Sequence, residues 1–260
     1  MENTLKSVIL AGGMGTRLRE ETEYRPKPMV EIGGRPILWH IMKNLSQQNV
    51  NKFVICLGYK GDQIKDFFVN YENRVNDITV SLGKKGISKH LTSSDEEDWD
   101  ITLANTGLHT LTGGRIYRIR NYVHKERFLC TYGDGLANIN LKSLVDFHIS
   151  HGKIATVTTV RPTSRFGSLE IDVNNKVNSF VEKPRVEQWI NGGFFIFEPK
   201  IFDYLDENCV LEQKPLETLS GEGQLMAFGH NGFWQPMDTY RETQELNSLW
   251  EKDAAPWKNW

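Results

Sequence analysis

No run of apolar residues in this 260-residue chain approaches the roughly 18 that a membrane-crossing helix needs, so no membrane partner is expected. The start, Met1-Glu2-Asn3-Thr4-Leu5-Lys6, has no apolar core behind a basic stretch, so no secretory leader is expected and the cytoplasm is the simplest location. Cysteine is scarce. Cys56, Cys130 and Cys209 are odd in number and widely spaced, which gives neither a disulfide framework nor a zinc pattern. Excess charge is also lacking: a formal net charge of −2 argues against a broad basic face and against nucleic acid as a partner. An anion bound here must therefore be held by local cations and backbone amides. No Pro-, Gly- or Ser-rich linker and no internal repeat divides the chain.

Two common phosphate-binding strings are missing as well. No glycine is followed at the right distance by Gly-Lys-Ser/Thr, which removes the P-loop. The dinucleotide fingerprint wants a glycine where Leu18 stands. What the chain has instead is Leu10-Ala11-Gly12-Gly13-Met14-Gly15-Thr16-Arg17-Leu18 directly after the apolar run Ser7-Val8-Ile9-Leu10, followed by Arg25-Pro26-Lys27-Pro28-Met29. Three glycines in that loop let backbone N–H groups approach phosphate oxygens, and Arg17 and Lys27 add two cations beside it.

Strand-like runs alternate with helical patterns through the first half. Strands at 8–10, 53–57, 128–132 and 155–160 are separated by helices at 37–47, 63–68, 115–122 and 141–150. That alternation predicts an α/β fold with a doubly wound, mostly parallel sheet, whose ligands sit at the carboxyl ends of its strands. The glycine loop and Tyr132-Gly133-Asp134-Gly135 both follow strands, so they share one edge. In the second half, 168–172 and 177–182 bracket Asn174-Asn175 as a hairpin, and 190–197 reads as another strand. The acidic run 93–98 reads as a solvated loop. A helix over 239–250 precedes a tail carrying Trp257 and Trp260, which must dock on its own domain or on another subunit.

Read alone, several candidates stay ambiguous. Gly133-Asp134-Gly135 suits a turn as well as a metal ligand. Asp238 could cap the helix that follows it, as could Thr239. Tyr132 could stack or hydrogen-bond in a site or serve packing alone, and Glu182-Lys183-Pro184 could be a surface turn.

The ordered set of motifs resembles the sugar-nucleotide pyrophosphorylases (nucleotidyltransferases), and within them the glucose-1-phosphate cytidylyltransferase branch. It runs from the glycine loop and Lys27-Pro28-Met29 through Thr112-Gly113-Gly114-Arg115, Thr131-Tyr132-Gly133-Asp134, Arg165-Phe166-Gly167, Glu182-Lys183-Pro184 and Asn191-Gly192-Gly193 to Gly232-Phe233-Trp234-Gln235-Pro236-Met237-Asp238. The resemblance implies a Rossmann-like nucleotidyltransferase fold over 1–260: a nucleotide-binding part over 1–160, a sugar-phosphate-binding part with an inserted β-hairpin over 161–238, and a C-terminal helical segment over 239–260. It implies cytidylyl transfer from CTP to α-D-glucose 1-phosphate, giving CDP-glucose and pyrophosphate. The same chemistry with UTP or dTTP, or with another sugar phosphate, stays open, as does a relative that only binds sugar nucleotides.

By that resemblance Asp134 and Asp238 hold Mg²⁺, while Arg17 and Lys27 neutralise phosphates. Leu10, Ala11, Gly12, Gly13, Met14, Gly15, Thr16, Thr110, Arg115 and Gly133 line the nucleotide site, and Thr110 and Arg115 are placed at the base. Tyr132, Glu182, Lys183, Asn191 and Gly192 seat the sugar phosphate. A homo-oligomer is implied too, with its product going to dideoxysugars of surface polysaccharide. The chain departs from the branch at Tyr24-Arg25, at Arg161-Pro162-Thr163-Ser164 and around 93–98. These places spare the catalytic positions and leave sugar choice and assembly less constrained.

Overall fold

The computed structural model describes residues 5–83, 86–90, 97–164 and 166–260. Arg165 and most of the acidic run, 93–96, lie outside them. A seven-stranded sheet organises the chain. In chain order its strands are Lys6–Ala11 (β1), Lys52–Leu57 (β2), Asp100–Asn105 (β3), Phe128–Tyr132 (β4), Ala155–Val160 (β5), Ile190–Phe197 (β6) and Leu225–His230 (β7). Their spatial order is β7-β5-β6-β4-β1-β2-β3, and only β6 runs against its neighbours. No helix among the described residues is long and apolar enough to cross a membrane.

The buried strands are apolar on both faces because both faces are covered. In β1, Ile9 and Ala11 join a core with the helix Ile37–Ser46 and the C-terminal helix Tyr240–Glu251. Val8 and Leu10 join the opposite core, with Ile116, Ile201 and Leu219. The edge strands β3 and β7 escaped the sequence reading because Asp100-Ile-Thr-Leu-Ala-Asn105 and Leu225-Met-Ala-Phe-Gly-His230 are less buried and broken by polar residues or glycine. The expected helix over 115–122 is two pieces, Thr112–Arg118 and Arg120–Val123. Its first turn contains Gly113 and Gly114, poor helix formers. A Cβ on them would lie 2.4 Å from Cys209 Sγ and 2.3 Å from the Glu207 carbonyl oxygen. Close packing there outweighs propensity.

The direction of β6 brings more residues to the site. After β5 the chain leaves at the carboxyl edge and forms the hairpin Ser168–Ile171 and Val177–Val181, with Asn175 in the left-handed region at its tip. It then re-enters at the same edge, so β6 must run antiparallel to β5, and Asn191 pairs with Thr159. The start of β6 thus lies beside the ends of β4 and β5. The acidic run is not wholly solvated: the Glu97 side chain is 5% exposed and pairs with Lys43 Nζ at 2.9 Å.

The tryptophan-rich tail docks on its own chain. Trp257 is fully buried, its carbonyl accepts from Asn44 Nδ2 at 2.6 Å, and its ring meets His40 edge-on. His40 lies in the helix Ile37–Ser46, with Nε2 2.8 Å from the Ile32 carbonyl and Nδ1 3.4 Å from the Trp257 indole N–H. A carbonyl can only accept and an indole N–H can only donate, so His40 is neutral with its hydrogen on Nε2. Burial lowers its pKa from 6.5 to about 4. The unfolded chain therefore takes up a proton that the fold refuses. Stability is complete above about pH 6.5 and falls toward pH 4, with this group contributing roughly 3 kcal/mol at most. Urea midpoints between pH 7.5 and 4.5 should fall less steeply for His40→Gln than for the unchanged protein; parallel curves would clear His40 of this role.

Candidate active site

The glycine loop begins where β1 ends. Gly15 lies in the left-handed region, and its carbonyl accepts from Leu18 N at 3.0 Å, which turns the chain back. A Cβ on Gly12 would stand 2.2 Å from Arg115 Nη1. The missing side chain lets that guanidinium pass beneath the loop. Arg115 donates to the carbonyls of Gly12 (2.9 Å), Leu57 (3.1 Å), Gly107 (2.8 Å) and Leu108 (3.3 Å), and to Thr106 Oγ1 (2.7 Å). Burial lowers its pKa. A buried guanidinium needs its donors satisfied, and these are committed to protein acceptors. Arg115 thus braces three loops of the cleft, and it also lines that cleft.

The acids are brought together by a small ladder. Gly135–Ala137 pairs with Trp234–Pro236 in the register Pro236↔Gly135, and Met237 N donates to the Asp134 carbonyl at 2.8 Å. Asp134 and Asp238 flank that ladder. Thr239, not Asp238, caps the C-terminal helix: its hydroxyl accepts from Glu242 N, while Glu242 Oε2 accepts the N–H groups of Asp238 and Thr239 at 2.8 Å. The Asp238 carboxylate is thereby left for other partners.

Those partners are cations. Lys27 lies in a 3₁₀ turn between Pro26 and Pro28, which restrict the local backbone. Its Nζ stands 2.6 Å from Asp134 Oδ2 and 2.6 Å from Asp238 Oδ1. Arg17 Nη1 meets the other Asp238 oxygen at 2.6 Å. The Lys27 and Asp238 side chains are 8% and 12% exposed, whereas Arg17 is 71% exposed. Two carboxylates converging on one ammonium offer hard oxygen donors to a single cation, so Asp134 and Asp238 are the pair that could hold a divalent ion. No group of three or more His, Cys, Asp or Glu suited to a metal occurs among the described residues, so phosphates and water would complete the ligand set.

Two clefts meet at this cluster. The first, about 380 Å³, is lined by Leu10, Ala11, Gly12, Gly13, Gly15, Thr16, Arg17 and Lys27 on one side, with Tyr132, Gly133 and Asp134 at the strand end and Thr110, Thr112 and Arg115 opposite. That volume suits a small-molecule ligand. The second, about 770 Å³, is lined by Asp238, Lys183, Ser164, Trp234 and Arg241 among others. Met14, 49% exposed, lines neither, and nor do Glu182, Asn191 and Gly192. Asn191 Oδ1 accepts from Gly193 N at 2.8 Å, and the Gly192 carbonyl accepts from Trp234 Nε1 at 2.7 Å.

The profile of the Nucleotidyl transferase family matches residues 6–223. The chain belongs to that family. The glucose-1-phosphate cytidylyltransferase of Salmonella typhi is 51% identical over 259 residues, covering 98% of this chain and all of the relative. Among solved structures, HddC from Yersinia pseudotuberculosis complexed with GMP-PN superposes with a TM-score of 0.68 at 26% identity, covering 95% of this chain and 99% of that one. UDP-glucose pyrophosphorylase complexed with UDP-glucose gives 0.69 at 18% identity, covering 96% and 99%, and shares the fold. For a nucleotidyl transferase, a glycine loop at the end of the first strand with two carboxylates facing it is an arrangement suited to phosphates and a divalent ion.

Sequence reasoning missed Glu212. Its two oxygens accept the hydroxyls of Tyr132 and of Thr112, the latter at 2.6 Å. It sits in an irregular loop with no pattern around it, and only the fold brings it behind the cleft wall, against Tyr132 and Thr112. The Lys27 cluster makes a direct prediction. Lys27→Met removes the cation shared by both carboxylates and leaves Asp238 with Arg17 alone, and unfolding free energy from urea titration should drop by about 3 kcal/mol or more. A loss under about 1 kcal/mol would mean the ion pairs are solvent-screened surface contacts.

Proposed function

We propose that this nucleotidyl transferase joins CTP and α-D-glucose 1-phosphate to give CDP-glucose and pyrophosphate in a Mg²⁺-dependent reaction. One observation carries the reading: Asp134 lines the first cleft, Asp238 lines the second, and both contact the Lys27 ammonium between them. A nucleoside triphosphate in the first cleft and a sugar phosphate in the second would meet at that point. The full-length likeness to a glucose-1-phosphate cytidylyltransferase supports CTP and glucose 1-phosphate as the pair.

The step forms a bond from a glucose 1-phosphate oxygen to the α-phosphorus and breaks the bond from the α-phosphorus to the bridging oxygen of pyrophosphate. Positioning and charge neutralisation are what the protein must supply. Glycine-loop amides and the exposed Arg17 are placed for the β- and γ-phosphates, where the planar guanidinium can hold two oxygens. Lys27 serves the reacting phosphates. Asp134 and Asp238 would hold Mg²⁺, whose charge offsets the repulsion between the two anions. Lys183 has access to the second cleft and suits the sugar phosphate, with Glu182 and Asn191 for sugar hydroxyls. A homo-oligomer working in the cytoplasm completes the reading; the exposed apolar side chains Leu169, Ile171, Val177 and Phe180 on the hairpin support the oligomer.

Pyrophosphate release is measured with nucleoside triphosphates crossed against sugar 1-phosphates, with and without Mg²⁺. The expected result is metal-dependent release with CTP and glucose 1-phosphate; release only with another pair overturns the substrate assignment. In the same assay Asp134→Asn and Asp238→Asn should each lower kcat by about 100-fold or more, and near-normal turnover would remove the metal role. Lys183→Ala should raise the KM for glucose 1-phosphate about tenfold and leave that for CTP unchanged. The opposite split would put Lys183 on the nucleotide.

A further inference from the structure

Arg115 donates to protein carbonyls, and a second set of polar groups lies in the same cleft wall. Glu212 does not itself line the cleft, but both side chains bonded to it, Tyr132 and Thr112, do. Tyr132 projects from the end of β4, one residue before the Gly133-Asp134 pair, and Thr112 opens the helix on the opposite wall. Neither partner of Glu212 is a cation.

An ionised carboxylate has acceptors only. Both hydroxyl hydrogens are therefore drawn toward Glu212, one to each oxygen. The Thr112 oxygen also accepts the Leu211 N–H at 2.9 Å. Burial and the neighbouring carboxylate push the Tyr132 phenol pKa up, so it stays protonated and keeps donating. The Tyr132 oxygen also accepts from the Asn191 side chain. With its hydrogen spent, each oxygen can offer a ligand only a remaining lone pair. A glutamine would fit the same space and would remove a negative charge from beside an anion-binding cleft. What glutamine cannot do is refuse to donate.

The geometry points to Glu212 as a positioning residue for nucleotide selectivity: it fixes two hydroxyls as acceptors, so that Tyr132 and Thr112 favour a nucleotide N–H or O–H donor. This inference rests on the CTP reading and deepens it. Cytosine carries an amino group where uracil and thymine carry a carbonyl oxygen. The ribose 2′-hydroxyl is the other donor of the same chemistry. Set against the 4-position of the base, an acceptor pair accommodates the cytosine amino group and leaves the uracil or thymine carbonyl facing lone pairs; set against the ribose, it accepts the 2′-hydroxyl. Sites built around such polarity reject the mismatched analogue far more strongly than apolar pockets do.

The test compares Glu212→Gln with the unchanged protein by kcat/KM for CTP, UTP and dCTP at saturating glucose 1-phosphate and Mg²⁺. Glutamine can turn its amide toward either hydroxyl and free that hydrogen. The CTP-to-UTP preference should fall about tenfold or more if the donor is the base amino group, and the CTP-to-dCTP preference should fall similarly if it is the 2′-hydroxyl. Thr112→Val and Tyr132→Phe, with Glu212 intact, carry the same test should the Gln variant fail to fold; at least one should lower the same ratio. A purely structural Glu212 would lower all three rates by a common factor. Unchanged ratios therefore overturn the inference. An unchanged protein with no preference for CTP overturns the substrate reading before any variant is compared, so the two failures are distinct.

Discussion

The Lys27 ammonium, held between Asp134 and Asp238, is the contact on which the rest of the site depends. Each partner reaches it by a different device. Prolines on both sides limit the backbone freedom of Lys27. Asp134 follows a central strand whose register with β1 places Tyr132 beside Leu10. Asp238 is delivered by the ladder of Trp234–Pro236 on Gly135–Ala137, and the capping box at Thr239 and Glu242 satisfies the backbone around it. With Arg17 on the remaining Asp238 oxygen, two cations and two anions cancel. Lys27 and Asp238 are the buried pair, and leaving either without its partner would cost several kcal/mol.

The aromatic tail supports this arrangement from behind. Trp257, Trp250 and Trp260 gather around His40 and fasten the C-terminal helix to the helix Ile37–Ser46. Asn247 adds bonds across the same seam, its Oδ1 accepting the Gly33 N–H and its Nδ2 donating to the Glu31 carbonyl. Asp238 lies just before that helix. The anchorage of the last helix and the position of one acid are thus a single structural matter, although Trp250, Trp257 and Trp260 line neither cleft.

The parts of the site governed by local chemistry were legible in the sequence. The glycine loop, Lys27 between prolines and Gly133-Asp134 after an apolar run each carry a physical reason in a few neighbouring residues. The central strands were legible for the same reason, since burial on both faces leaves unbroken apolar runs. Harder features depended on distant partners. The antiparallel course of β6 follows from the chain returning to the edge it left, which no run of side chains records. The bracing role of Arg115 was hidden because the carbonyls that accept from it come from three separate loops. Glu212 had no local signal at all. Asp238 was legible only by resemblance, because a residue before a helix is as readily a cap as a ligand, and the nearby Thr239 took the cap.

The ladder that carries Asp238 also sets an order of events during synthesis. Lys27 and Asp238 are 211 residues apart along the chain. A nascent polypeptide has its glycine loop, its lysine and its first acid long before the second acid has left the ribosome. Until then Lys27 can pair with Asp134 but not with Asp238. The four-charge cluster closes only when the segment carrying Asp238 has been made, so its balance is among the last features of the chain to form.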